Sequence, residues 1–186
     1  MDRGDRKEIR LSGTGGQGII LAGILLAEAA GVHEARFVVQ TQSYGPEARG
    51  GASRTDVIIS RDEILHSQID SPDVLLCLSQ EAFNRFGKSL KPDGLLIIDP
   101  LFVREEAESN ARTIRIEATR IAGDLGNRRV ANMVALGALE AASKATQKES
   151  LVRALVKRVP AWTVGLNLKA FTAGYDYVVE KGGLGG

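Results

Sequence analysis

Residues 8–30 read EIRLSGTGGQGIILAGILLAEAA. Ile9 and Leu11 alternate with polar neighbours, the pattern of a short strand with one buried face. A glycine turn follows, Gly13-Thr14-Gly15-Gly16-Gln17-Gly18, and then an almost wholly apolar helical run over 19–30. Strand, glycine turn and helix in that order open a nucleotide-binding α/β unit. Gly13, Gly15 and Gly18 fit G-x-G-x-x-G. Glycine has no Cβ, so the chain can turn tightly and bring backbone N–H groups close to an anion. The helix behind the turn adds its partial positive N-terminus. A purely structural tight turn satisfies the same spacing, so the motif alone leaves both readings open. The fold class predicted from this stretch is α/β, three-layer and doubly wound, with a mostly parallel, Rossmann-like sheet.

The chain has 186 residues, 44% hydrophobic and 25% charged, which fits one ordinary globular domain over 1–186. A formal net charge of +1 gives no reason to expect a nucleic-acid partner. The apolar run 19–27 is far shorter than the ~20 residues that span a bilayer. Charged residues dominate 1–10 and no small-residue cleavage site follows, so no signal peptide is visible. These features predict a cytoplasmic protein that binds no membrane.

Cys77 is the only cysteine, which excludes an intrachain disulfide. An iron–sulfur cluster needs about four thiolates. Cys77 lies in the apolar run DVLLCLS, the setting of an inert core thiol. His33 and His66, the two histidines, lie far apart and have no i, i+4 partner for a metal. The residues indicate no catalytic centre and no metal site.

The helix over 19–30 is apolar nearly all round, with small residues at Ala22, Gly23 and Ala27. Such a helix must be covered on more than one side. A partner subunit and the chain's own elements are both available as the second cover, and self-association of the isolated chain into a homodimer fits the first. After Gly31 a second strand is predicted over 36–40, RFVVQ. A dinucleotide-binding domain places an acidic residue near the end of that strand to hold the ribose. Here the positions are Gln40, Thr41 and Gln42, and Glu34 comes too early. The departure argues against NAD. The strand leads instead into a polar, glycine-rich loop over 40–53, QTQSYGPEARGGAS, at the carboxyl end of a strand, where open α/β sheets place ligands. Gly45-Pro46 fixes a turn, Gly50-Gly51 frees the backbone, and Arg49 offers a planar fork of donors. Tyr44 can stack or donate a hydrogen bond, and Gln42 and Ser43 can orient a polar group.

The pair GTGGQG and VVQTQSYGPEARGGASRTDVIIS resembles the gamma subunit of 2-oxoacid:ferredoxin oxidoreductases. The later stretches 132–139 (NMVALGAL) and 167–171 (NLKAF) also resemble that family, so the likeness runs over about 8–175. SYGPEARGG is its most specific part, and its wording is closest to the 2-oxoglutarate type. Pyruvate-type subunits tend to carry phenylalanine in place of the tyrosine. Pyruvate and indolepyruvate oxidoreductase subunits remain alternatives, as does a stand-alone nucleotide-binding protein.

The remaining pattern supports the same class. Strands are predicted over 54–60 (at an edge or antiparallel), 73–78, 95–98 and 113–116. Ser79 is placed to cap a helix over 80–86. Asp99 ends a strand, where capping or turn chemistry is its ordinary use. Helices are predicted over 130–143, from a capping box Thr146-Gln-Lys-Glu149 to Arg158, and from Asn167 onward. The first carries Ala131, Ala135, Gly137, Ala138, Ala141 and Ala142, which permit close packing. Glu149 and Arg153 have the i, i+4 spacing of an ion pair. Leu168, Phe171, Tyr175 and Val178 form one stripe of the last helix. Asn132 reads as a satisfied structural amide or as a residue near the loops.

The resemblance implies a subunit of a complex that oxidatively decarboxylates a 2-oxoacid, passing the acyl group to coenzyme A and electrons to ferredoxin. It implies alpha, beta and delta subunits as partners. It also implies thiamine diphosphate, magnesium and iron–sulfur clusters carried elsewhere in the complex. This chain is then non-catalytic alone and lines the approach of coenzyme A. The residues expected at that site are Gly13, Gly15, Gly16, Gly18, Ser43, Tyr44, Arg49, Gly50 and Gly51.

Overall fold

The structure, a computed structural model, describes residues 6–43, 52–104 and 111–181. Its centre is a six-stranded sheet. In chain order the strands are β1 (Lys7–Thr14), β2 (Phe37–Ser43), β3 (Ala52–Ser60), β4 (Val74–Cys77), β5 (Leu95–Ile98) and β6 (Arg112–Arg115). The helices are α1 (Ile19–Glu28), α2 (Gln80–Phe86), α3 (Ala118–Asp124), α4 (Ala131–Ser143), α5 (Lys148–Arg158) and α6 (Val164–Glu180). The spatial order is β2-β3-β1-β4-β5-β6. β1, β4, β5 and β6 run parallel, whereas β3 is antiparallel to both β1 and β2.

Side chains on the two faces of a strand alternate, and the core divides accordingly. Ile9, Leu11, Val57, Leu76 and Ile97 join a large core with α1, α3, α4, α5 and α6. Leu75, Cys77, Leu96 and Ile98 face a thinner layer made by Ala82 and Phe86 of α2 together with Val103. The three layers are therefore unequal. On the thin side Arg10 donates two hydrogen bonds to Asp56, at 2.8 and 2.9 Å, and a third to Ile69 O at 2.7 Å. Burial of a charged pair is tolerated when the remaining donors are occupied in this way.

Several expectations shift. β3 is antiparallel but interior, not at an edge, and β2 takes the edge. β2 extends to Ser43 and β3 begins at Ala52, so Gln40–Ser43 and Ala52–Ser53 belong to strands rather than to the loop. β6 lies one residue earlier than its pattern indicated. α1 ends at Glu28 and continues as a short π-helix over Ala29–His33. The capping box is not formed. Gln147 is the N-cap of α5 without a side-chain bond, and the Thr146 hydroxyl donates to Glu140 Oε2 at 2.9 Å. Arg153 donates to Ser150 Oγ at 3.2 Å instead of meeting Glu149. α6 starts at Val164, three residues before Asn167, whose amide donates back to Thr163 O. Its buried face comprises Asn167, Ala170, Phe171, Gly174 and Val178, with Leu168 and Tyr175 only half-buried.

The apolar α1 is covered largely by its own chain, against the sheet, α4 and α5. Ile20, Leu21, Ile24 and Ala27 stay half-buried. The small residues of α4 do serve close packing, because Gly137 meets α6 backbone at Phe171 and Tyr175. Among the described residues no helix is long and apolar enough to cross a membrane.

Glu140 yields a pH prediction. Its carboxylate is buried at the α4–α5 connection, accepting from Thr146 N and Oγ1. Burial pushes its pKa up to about 7, against the lowering effect of those bonds, and Glu34 adds to the rise while Lys7 opposes it. The folded chain thus holds the proton more tightly than the unfolded chain. The stabilising contribution is present below the ordinary carboxylate range and is lost as pH rises toward 7. Between pH 5 and pH 8 the wild type should lose roughly 2–3 kcal/mol relative to Glu140→Gln. Urea unfolding of both at the two pH values measures this. Parallel pH dependence in the two proteins would contradict it.

Candidate functional site

β1 and β4 are parallel neighbours whose following helices leave to opposite faces, α1 into the large core and α2 into the thin layer. That makes the carboxyl ends of β1 and β4 a topological switch point, where doubly wound sheets open a crevice. The glycine turn sits there. Gly16 and Gly18 have φ of 87° and 71°, the left-handed region that glycine enters without penalty. Gly18 is also the N-cap of α1, which has no side-chain cap and no acidic residue in its first turn. The partial positive end of α1 is therefore not met by any group of its own turn.

Two side chains hold the turn from within. Gln17 accepts from Thr14 N at 2.7 Å and donates to Leu78 O at 2.9 Å, tying the β1 turn to the end of β4. A Cβ at Gly13 would lie 2.4 Å from that Gln17 oxygen. Asn132 of α4 donates to Gly18 O at 3.2 Å, and a Cβ at Gly18 would lie 2.3 Å from the Asn132 nitrogen. Asn132 is thus a satisfied structural amide that sets the turn's shape. Gly15 and Gly16 behave differently. Both are exposed, and an added Cβ at either would meet nothing within 4 Å. Gly13 and Gly18 are glycines for packing, whereas Gly15 and Gly16 leave the outer rim of the turn open.

Of the other expected site residues, Ser43 is the exposed last residue of β2. Tyr44, Arg49, Gly50 and Gly51 lie outside the described residues. Ala52, where the described chain resumes, pairs directly with Thr14 of the glycine turn. Glu81 accepts from Ala52 N at 3.1 Å and fixes the start of β3. Gln17 and Glu81 are positioning residues that local sequence patterns do not reveal. Ser79 caps α2 as expected, accepting from Ala82 N at 3.2 Å. Asp99 does capping work too, accepting from Leu101 N at 3.0 Å and Thr119 N at 2.8 Å. β2 explains why no ribose-binding acid is found at its end. The antiparallel β3 separates it from β1, so the end of β2 is not the neighbouring strand end that a dinucleotide site uses.

Cys77 is buried beside Ser12 Oγ at 3.3 Å, and burial pushes its thiol up to about 12 despite that hydrogen bond and Arg10. A thiol held protonated is neither a nucleophile nor a metal ligand. Among the described residues no three His, Cys, Asp or Glu side chains gather as a metal site.

A family model described as pyruvate ferredoxin/flavodoxin oxidoreductase matches residues 8–177. The chain belongs to this family. It is 44% identical over 178 residues to 2-oxoglutarate synthase subunit KorC of Methanocaldococcus jannaschii, covering 94% of this chain and 95% of that one. The gamma subunit of a keto/oxoacid ferredoxin oxidoreductase from Geobacter sulfurreducens superposes with a TM-score of 0.84 at 43% identity, covering 94% and 99% of the two chains. A 2-oxoglutarate:ferredoxin oxidoreductase of Magnetococcus marinus, solved with 2-oxoglutarate, coenzyme A and succinyl-CoA, superposes at 0.85 with 26% identity. It covers 95% of this chain but 31% of that one. The family therefore uses this domain both as a separate subunit and as part of a longer chain. The resemblance carried by GTGGQG and SYGPEARGG agrees with the family assignment.

Proposed function

We propose that this chain is the gamma subunit of a 2-oxoglutarate:ferredoxin oxidoreductase complex and that its glycine-turn end lines the coenzyme A site. The observation that carries the first half is end-to-end similarity to a separate 2-oxoglutarate synthase subunit, nearly complete in both directions. The second half rests on an uncapped α1 N-terminus behind two exposed glycines at the switch point. Coenzyme A carries phosphates, and backbone N–H groups at a helix N-terminus suit them. Ser43, Tyr44, Arg49, Gly50 and Gly51 complete the proposal, with Arg49 as the charged partner of a phosphate. Thiamine diphosphate and its magnesium belong to the partner alpha and beta subunits. The iron–sulfur clusters are held by partner chains, a delta subunit among them, and ferredoxin is met through the assembly in the cytoplasm. The buried, protonated Cys77 fits a chain that holds no cluster.

Arg49→Ala in the assembled complex removes one charge-assisted hydrogen bond, worth roughly 1.5–3 kcal/mol. The KM for coenzyme A should rise about 10- to 100-fold, while that for 2-oxoglutarate hardly moves. If Arg49 instead pairs with an acidic residue of a partner subunit, the mutant complex dissociates on gel filtration. An intact mutant complex with unchanged coenzyme A kinetics would remove Arg49 from the site.

A further inference from the structure

The last two helices present a surface that the fold leaves uncovered. α5 and α6 are joined through Pro160 and a short turn over Ala161–Thr163. Lys148, at the start of α5, lies 3.8 Å from Asp176 and 4.0 Å over the Tyr175 ring, near the end of α6. The two helices therefore fold back on each other as a hairpin, with their inner faces on the large core. Trp162, the only tryptophan of the chain, stands at the bend and is 87% exposed. Its exposure does not come from a loose turn. Thr163 N and Oγ1 both donate to Pro160 O at 2.8 Å, and the Asn167 amide donates to Thr163 O at 2.9 Å. Among the described residues Trp162 makes no hydrogen bond and no ring contact. A firmly held turn thus keeps a large apolar ring in water.

The neighbours of Trp162 extend the face. Val156, near the end of α5, is 47% exposed, and an added Cβ at Gly165 would meet nothing within 4 Å. Arg153, Val156 and Lys157 share the outward stripe of α5 by helical spacing. Lys169 lies about two turns along α6 from Trp162, on its exposed side. Arg153 donates to Ser150 Oγ, and among the described residues Arg153, Lys157 and Lys169 make no ion pair. The adjoining Arg158 is engaged by Glu28 at 3.2 Å. The carboxylates stand toward the other end of the hairpin, Glu149 exposed and Asp176 met by Lys148. An exposed aromatic corner is therefore rimmed by cations that its own chain leaves uncompensated.

We infer that the Trp162 corner docks on an acidic surface of a partner subunit, with the indole as buried anchor and Arg153, Lys157 and Lys169 at the rim. The inference rests on the assembly proposed above and uses none of the residues proposed for coenzyme A. Tryptophan is among the side chains that most often carry binding energy at the centre of an interface, while rim charges steer encounter and register. A second copy meeting this face about a two-fold axis would bring the same cations together, which disfavours self-association here. A formal net charge of +1 over the whole chain disfavours nucleic acid.

The test uses the full chain labelled with fluorotryptophan, whose single fluorine resonance reports Trp162 alone. Unlabelled alpha, beta and delta subunits are added, and complex formation is followed in parallel by gel filtration. The resonance should shift and lose its sensitivity to heavy water as the complex forms. Trp162→Ala should weaken assembly at least about 30-fold. Lys157→Glu combined with Lys169→Glu should weaken it roughly tenfold and reduce its salt dependence. Leu65→Ala, at a comparably exposed apolar residue elsewhere, should leave it unchanged. The substituted side chains are all exposed, and circular dichroism checks that each variant folds. A complex that forms with the resonance unmoved, or one indifferent to Trp162→Ala, would overturn the inference and leave the proposed function standing. Absence of any complex would overturn both. A shift produced by concentrating the labelled chain alone would assign the face to a second copy and likewise overturn the inference.

Discussion

Gly174→Ala is expected to cost the chain about 3 kcal/mol or more of its stability. A Cβ at Gly174 would lie 1.8 Å from Val134 O, and one at Gly137 would lie 2.0 Å from Phe171 O. Both obstacles are backbone atoms of the facing helix, so no rotamer change relieves them. α4 and α6 would have to separate, and the buried Val134, Leu136, Phe171 and Val178 would lose packing on both sides. Overpacking ordinarily costs about 1–3 kcal/mol, and collision with backbone belongs at the top of that range or beyond. For a domain of this size that lowers Tm by roughly 6–12 °C. Gly165→Ala, on the same helix, is the control. Nothing lies within 4 Å of its added Cβ, so alanine should be neutral or stabilising by up to about 1 kcal/mol. Equal melting temperatures for the two variants would contradict the close α4–α6 approach.

The second large effect concerns ligand and not stability. Gly15→Asp places a carboxylate at an exposed rim where an added side chain meets nothing and φ is not positive. At the uncapped end of α1 the new charge should leave the fold intact or stabilise it by about 0.3–1 kcal/mol. In the assembled complex the same charge would face the coenzyme A phosphates. Like charges held together cost several kcal/mol, so the KM for coenzyme A should rise at least about 100-fold. The signs are opposite for stability and for ligand, which separates this effect from misfolding. A stable Gly15→Asp complex with ordinary coenzyme A kinetics would show that the turn is structural only.

The first strand, glycine turn and helix were legible because their signals are local. Alternation, φ-permissive residues and an apolar run each act over a few neighbours. The same holds for Ser79 before α2. Tertiary partners were not legible. Thr146 has the spacing of a helix cap, yet Glu140 takes its hydroxyl from the end of the preceding helix. Asn132 finds its partner Gly18 across 114 positions of sequence. The insertion of antiparallel β3 between β1 and β2 is a matter of strand order, which side-chain periodicity does not encode. β2 ran further than expected because Gln40–Ser43 lie on an edge strand whose last three residues are exposed and polar, a pattern shared with loops. α3 went unread because its seven residues, ATRIAGD, are too short for a periodic stripe and include a glycine. At the site, Gly15 and Gly16 were separable from Gly13 and Gly18 only once the space around each could be seen.

In the proposed assembly this chain completes a 2-oxoacid:ferredoxin oxidoreductase and supplies part of its coenzyme A site, a role that reconstitution tests. Ferredoxin reduction driven by 2-oxoglutarate and coenzyme A would be measured for the partner subunits with and without this chain, and for this chain alone. Activity is expected for the full assembly, none for the chain alone, and loss of coenzyme A-dependent turnover when the chain is left out. Full coenzyme A-dependent turnover by the partner subunits without it would contradict this role.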